Sequence, residues 1–317
     1  MLLKLGAYSL PAPPETFFGR VAPLVLEVGF GDGGFLAHLA RTHPAWNLLG
    51  AEVSVGSVSR AFRRIRRAGH RNVRLYAGHA RFLVRNVVPP HGLHRVYVNF
   101  PDPWPKQKHR GRRLLRAPFF RLLSTRLEDG GALLFTTDHA EYFGYALAEA
   151  RRTGLFAVEQ APPPPATLET KYARKWRAQA IPIQHAVFTK TAEADAAFPP
   201  LVDPADAMHH ALLAGTLPPL DRFEKIVHPF EGGHVIVLEA YGAVGGAGLV
   251  FVTRIEEQDL TQEVLVEARP DAKDRGRVLV RIKAFGQPLL TRGTREAIRA
   301  VVGFLEPRGL RLDQAFF

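Results

Sequence analysis

Leu24-Val25-Leu26-Glu27-Val28-Gly29-Phe30-Gly31-Asp32-Gly33-Gly34 is the stretch on which the reading of the fold turns. A run of β-type apolar residues ends there in a glycine-rich turn, and Phe35, Leu36 and Leu39 behind it fall on one face of a helix. Glycine is needed in such a turn because the backbone bends tightly and approaches a ligand closely, with the helix N-terminus aimed at it. Glu52 ends the next apolar run, Asn47 to Ala51, where a carboxylate can accept hydrogen bonds from the ribose hydroxyls of an adenosine cofactor. Gly29, Gly31 and Gly34 also satisfy the dinucleotide fingerprint, so the glycines alone allow a dehydrogenase. Glu27 tilts the balance, because a carboxylate just ahead of the first glycine repels a pyrophosphate and attracts a cation. S-adenosylmethionine carries that cation in its sulfonium and amino groups.

Outward from this turn, short apolar runs near Val73 to Tyr76, Arg95 to Asn99, Ala132 to Thr136, Phe156 to Glu159 and His185 to Thr189 alternate with helical patterns. This alternation predicts an α/β fold with a Rossmann-like, mostly parallel sheet covered on both faces. Val58, Phe62 and Ile65 recur at helical spacing opposite Arg60, Arg63, Arg64 and Arg67, and a further helix is expected over about Ala140 to Arg151. Pro162 to Pro165 read as a stiff, extended loop leading into a basic stretch that ends at Arg177.

The Ala-, Pro- and Asp-containing segment 192–204 reads as a linker between residues 1–191 and a second domain over 205–317. That second domain is expected to be small and α+β, with strands near Val235, Leu249, Val264 and Val278 and an amphipathic helix from Thr294 to Leu305. Val235 to Val252 approaches the length of a membrane span, but Glu239 and the Gly245-Gly246 pair read better as strand, turn, strand.

The net charge of +12 is unevenly placed. Residues 1–190 hold 28 Lys and Arg against 12 Asp and Glu, an excess of +16, whereas 191–317 hold 14 against 18, a balance of −4. Genome or habitat bias explains Arg in place of Lys, but not the shortage of acids in one half. A surface that meets phosphates explains both. The chain has no cysteine, which excludes disulfides and thiolate metal sites, and its histidines lack ligand spacing, so no metal is expected. The opening residues lack the layout of a secretory signal, and the expected compartment is the cytoplasm, with no membrane association.

The most specific segment is Asn99-Phe100-Pro101-Asp102-Pro103-Trp104-Pro105-Lys106, followed by Lys108, His109, Arg110, Arg112 and Arg113. In an open α/β sheet, ligands sit beyond the carboxyl ends of the strands, so this proline-flanked loop holds one acid and one aromatic where substrate meets cofactor. Asp102 can accept from the amino and imino edge that guanine presents and can stabilise a cation forming on the base. The basic tail behind it would hold phosphates. Asn99-Phe100-Pro101-Asp102 also loosely matches the N-P-P-[YFW] loop of amino-methyltransferases, although an inserted residue and the aspartate are foreign to that loop.

At these residues the sequence closely resembles the bacterial tRNA (guanine-N7)-methyltransferases, whose members carry E-x-G-x-G-x-G, a following acid, F-P-D-P-W with a basic tail, and then T-D. The match spans roughly residues 20–190. The resemblance implies a class I S-adenosylmethionine-dependent methyltransferase sheet with its last strand antiparallel, acting on a guanine of the tRNA variable loop at position 46. It places Glu27, Gly29, Gly31, Gly33, Glu52, His79 and Asp102 at the cofactor, with Asp102 also catalytic. It places Lys106, Asp138, Thr170 and Tyr172 at the target nucleotide, and Lys108, His109, Arg110, Arg112 and Arg113 on the RNA.

Two positions depart from the family pattern. His79, in Gly78-His79-Ala80, stands where the family has Asp or Asn, and the family's T-x-[YF]-E is here Thr170-Lys171-Tyr172-Ala173, without its glutamate. A non-catalytic RNA-binding subunit of the same fold is therefore the rival reading from a different class. No motif assigns a role to the C-terminal domain, for which a tRNA-positioning module, a self-association surface and a stability cap are the candidates. Arg275, Arg277, Arg281 and Lys283 would give it a local basic face, although charges at such spacing are usually solvated.

Overall fold

The computed structural model describes all residues except Ala205, Asp206, Met208, Asp221 and 245–247, together with the side chain of Lys171. The chain divides into two compact units, one of Met1–Leu3 and Pro11–Pro200 and the other of Lys4–Leu10 and Leu201–Phe317. The division after Pro200 falls within the stretch read as linker. Residues 4–10, expected in the first domain, group instead with the second.

The sheet of the first unit contains β1 (Leu24–Val28), β2 (Asn47–Glu52), β3 (Val73–Ala77), β4 (Leu93–Asn99), β5 (Leu127–Thr137), β6 (Phe156–Gln160) and β7 (Gln184–Lys190). Their order is β3-β2-β1-β4-β5-β7-β6. β1 to β5 pair in parallel, and β7 runs antiparallel between β5 and β6. Consecutive residues such as Val25 and Leu26 in β1, Leu48 and Leu49 in β2, and Ala132 and Leu133 in β5 are almost fully shielded from water. Side chains alternate across a strand, so burial of neighbours requires cover on both faces. The strand order reverses between β1 and β4, and that crevice, beyond the carboxyl ends of the two strands, is where such a sheet receives ligands.

α1 (Pro14–Phe18) precedes the first strand, and α2 (Gly34–Thr42), α3 (Val55–Arg67), α4 (Ala80–Asn86), α5 (Ala117–Ser124), α6 (Ala140–Thr153), α7 (Pro165–Leu168) and α8 (Lys171–Ala178) lie in the connections between strands. α3 starts where the Ser54 hydroxyl accepts the Ser57 amide, and it buries Ser57, Val58, Ala61 and Ile65 at helical spacing. Phe62, read as part of that stripe, is half-buried against the same core. The four prolines do not all form loop. Pro165 is the first residue of α7, where its missing amide hydrogen costs nothing because first-turn amides have no helical partner. The basic stretch behind it is the helix α8, capped by Thr170.

The second unit is a seven-stranded antiparallel sheet with one long helix. It comprises β8 (His210–Ala214), β9 (Ile226–Phe230), β10 (Gly233–Gly242), β11 (Leu249–Glu257), β12 (Leu260–Pro270), β13 (Arg277–Ile282), α9 (Arg292–Leu305) and β14 (Arg311–Phe316), in the order β14-β8-β13-β12-β11-β10-β9. The α+β reading holds, but β8, β9 and β14 had gone unread. β14 is exposed throughout, so it carries no apolar alternation to find. α9 buries Ile298, Val301 and Leu305 against Val235, Phe251 and Val280 on one sheet face. The expected turn at Gly245-Gly246 lies outside the described residues, between β10 and β11. Among the described residues, no helix is long and apolar enough to cross a membrane.

Arg277, Arg281 and Lys283 do not form an unpaired basic face. Arg281 and Lys283 both reach Glu267, at 2.6 and 3.6 Å, and Arg277 reaches Asp313 at 3.0 Å.

Candidate active site

Glu27, near the end of β1, is only 3% exposed. Burial, and then the charges of Asp32 and Glu52, push its carboxyl up to about 8, so at neutral pH it is largely protonated. Among the described residues its Oε2 has no partner in ordinary hydrogen-bond geometry, nor do the side-chain polar atoms of Asn99, which ends the adjacent β4 and lies close enough only to draw the Glu27 carboxyl slightly down. Buried polar atoms without partners are uncommon, and three of them converge at the crevice where the strand order reverses.

The intervening turn depends on glycine. Gly29, Gly31 and Gly33 have φ of 69°, 55° and 76°. A Cβ on Gly33 would also stand 2.7 Å from the methyl of Ala61 in α3. Positive φ is strained for an L side chain, and here no space is left for one either. Glu52 closes the turn from the other side, with Oε2 accepting the Gly31 amide at 3.0 Å and Oε1 the Ser54 amide at 2.9 Å. Each oxygen retains a lone pair for a ligand hydroxyl.

The loop after β4 is backbone under strain. Phe100 and Trp104 adopt φ of 51° and 43°, each a conformation that costs about 1–3 kcal/mol outside glycine. Two anchors hold them. The Phe100 amide donates to the Thr136 carbonyl at 2.8 Å, and Arg113 binds the carbonyls of Pro103 at 2.7 Å and Trp104 at 3.4 Å.

Arg113 also forms a two-pronged pair with Glu141 of α6, and its guanidinium lies 4.9 Å from the Tyr142 ring and 4.8 Å from that of Tyr145. Its side chain is fully buried. The assignment of Arg113 to the RNA is therefore corrected. An arginine with no side-chain exposure, which spends four of its five N–H donors on two carbonyls and a carboxylate inside the protein, is out of a phosphate's reach.

Clamped in this way, the loop presents Asp102, Lys106 and Lys108 to solvent. Arg112 lies 4.9 Å over the Trp104 ring, and His109 meets that ring edge-on at 6.0 Å. Arg110 pairs with Glu141 at 3.0 Å and remains partly exposed. Neither Glu141 nor the two tyrosines had been read as part of the site, because nothing in α6 marks them before it folds against the loop.

The remaining residues lie at the same edge of the sheet or near it. Asp138 follows directly on β5 and is half-buried. Gln184 opens β7 opposite Thr137, and its Oε1, the Trp176 indole N–H and the Thr167 hydroxyl are further buried atoms without partners among the described residues. Tyr172 is 51% exposed. Thr170 is committed to structure, since its hydroxyl donates to the Thr167 carbonyl at 2.8 Å and accepts the Ala173 amide at 3.3 Å to cap α8. Ala173, in the place of the family glutamate, is fully buried. His79 is exposed ahead of α4, with no cap bond from its ring.

The matching family, described as "Putative methyltransferase", covers residues 21–186, from just before β1 into β7. The chain is 51% identical over 306 residues to the tRNA (guanine-N(7)-)-methyltransferase of Thermus thermophilus, covering 95% of this chain and 96% of that one. The chain belongs to the tRNA (guanine-N7)-methyltransferase family. A member from Deinococcus radiodurans is 42% identical over 318 residues, 98% of each chain, whereas one from Thermotoga maritima matches over 170 residues, 53% of this chain and 54% of its own. The first two matches run on through the second unit, so that unit is shared within part of the family.

Membership makes S-adenosylmethionine the cofactor to test against these residues, and they fit it. The unpartnered atoms of Glu27 and Asn99 suit its charged amino-acid end, and Glu52, fixed by two amides, suits its ribose.

Proposed function

We propose that this chain transfers a methyl group from S-adenosylmethionine to N7 of a guanine in tRNA, at position 46 of the variable loop. The near full-length match to the Thermus enzyme carries the reading. The cytoplasm is the proposed setting. S-adenosylmethionine, when bound, would supply the methyl on a sulfonium; the protein supplies position and charge.

Guanine N7 has a lone pair in the ring plane, so no base has to remove a proton before it attacks. Holding nucleophile and methyl at reacting distance is the main task, an effect that can be worth several kcal/mol. Asp102, on its strained and clamped loop, accepts from the guanine edge and stabilises the positive charge that passes to the base. Asp138 assists from the end of β5, with Lys106 and Tyr172 at the nucleotide and Thr170 contributing by capping α8. Glu27, Gly29, Gly31, Gly33, Glu52 and His79 line the cofactor side. Lys108, His109, Arg110 and Arg112 meet the RNA backbone.

Ala173 in place of the family glutamate favours a second reading, a tRNA-binding subunit that holds the cofactor without transferring its methyl. Labelled S-adenosylmethionine and unmodified tRNA transcripts separate the two. We expect label on transcripts with guanine at the variable-loop position, none when adenine replaces it, and a roughly 100- to 1,000-fold slower rate for Asp102→Ala. Cofactor binding with no label on any transcript would overturn the enzymatic reading.

A further inference from the structure

α3 carries four arginines on one face. At about 100° per residue, Arg60, Arg63, Arg64 and Arg67 fall within an arc of about 100°, opposite the buried Val58, Ala61 and Ile65. All four are exposed, and with Asp32 and Ala68 they line an open groove of about 530 Å³.

The four are not equivalent. Arg64 donates to the Asp32 carbonyl at 3.0 Å and to its carboxylate at 2.7 Å, and the other carboxylate oxygen accepts the Gly34 amide at 3.0 Å. It thereby ties α3 to the glycine turn at the cofactor. Arg60 only reaches the Ser57 hydroxyl, at 2.9 Å. Among the described residues no carboxylate pairs with Arg60, Arg63 or Arg67.

The loop after β4 supplies less free charge than its sequence suggests, because Arg110 and Arg113 are both paired with Glu141. A polyanion as long as tRNA is held by the number of phosphates neutralised. α3 adds three exposed cations to Lys106, Lys108 and Arg112, gathered on one face and without a carboxylate partner among the described residues.

We propose that the arginine face of α3 is a docking surface for the phosphate backbone of the tRNA substrate, with Arg60, Arg63 and Arg67 on the phosphates and Arg64 reserved for the glycine turn. The proposal rests on the tRNA reading above. Arg63 and Arg67 form no internal bond among the described residues, so replacing them leaves the fold intact.

The test is tRNA affinity, measured from about 50 to 200 mM salt, for the wild type and for the double variant Arg63→Gln, Arg67→Gln. We expect roughly tenfold weaker binding and a salt slope shallower by about 1 to 2, with S-adenosylmethionine affinity and melting temperature unchanged. The Arg63→Lys, Arg67→Lys pair should recover most of the loss, since phosphate neutralisation needs charge more than shape. Unchanged affinity and slope in the glutamine variant, with a wild type that binds and methylates tRNA, would overturn the docking surface alone. A wild type that binds no tRNA at any of these salts would overturn the tRNA reading and the surface together.

Discussion

Two arginine-rich stretches of the first unit look alike as sequence and behave oppositely as structure. In the loop after β4, Arg113 turns inward and is spent on holding Pro103, Trp104 and Glu141 in place. In α3, Arg60, Arg63 and Arg67 turn outward and meet no acid among the described residues. The difference comes from what lies behind each stretch. A regular helix satisfies its own backbone, so its outer side chains are free, whereas an irregular loop exposes carbonyls that need donors. Arg113 is such a donor.

Removing the inward arginine should have the largest effect. Arg113→Ala leaves two loop carbonyls without a donor and releases the strained backbone at Trp104. Partial exposure of Glu141 softens the charge penalty, so we expect about 2–4 kcal/mol of lost stability by denaturant titration. Methyl transfer should fall by about 100-fold, because Asp102 is no longer held in place. A fall in tRNA affinity with stability unchanged would instead return Arg113 to the RNA.

Two carboxylates sharpen the contrast through pH. Arg113 holds the Glu141 carboxyl below its ordinary value, so the clamp's contribution to stability is present above pH 4.5 and is lost as pH falls through that depressed value. Glu27 has the opposite sign. Its folded value of about 8 lies above the ordinary 4.5, so its contribution to stability falls as pH rises from 4.5 to about 8. A cationic ligand needs the charged form, so affinity for S-adenosylmethionine should increase up to about tenfold per pH unit below 8 and then level off, with proton release on binding. Calorimetry in buffers of different ionisation enthalpy would detect that proton, and Glu27→Gln should flatten the profile.

Smaller effects are expected at the outward residues. Arg112→Ala removes a cation–π contact on Trp104 worth about 0.5–1 kcal/mol, read as a small shift in the tryptophan emission and melting temperature. Arg63→Gln alone should change stability by less than about 0.5 kcal/mol, which thermal unfolding would check.

Much of the first unit was legible because its signals are local. The apolar runs of β1 to β5, the glycines with positive φ and the Pro-Asp-Pro loop each show in a few adjacent residues. Glu141, Tyr142 and Tyr145 were not legible, because they join the site only when α6 packs against a loop about thirty residues earlier. Among the strands of the second unit, β14 escaped for lack of apolar alternation, being exposed along its whole length.

The sequence by itself determined the α/β sheet, the cofactor turn and the position of Asp102, since hydrophobic periodicity and backbone chemistry are written residue by residue. Only the tertiary structure decided which cations remain free. Whether an arginine meets a phosphate or a carbonyl depends on which groups the fold brings within about 3 Å of it, a distance that sequence separation does not encode.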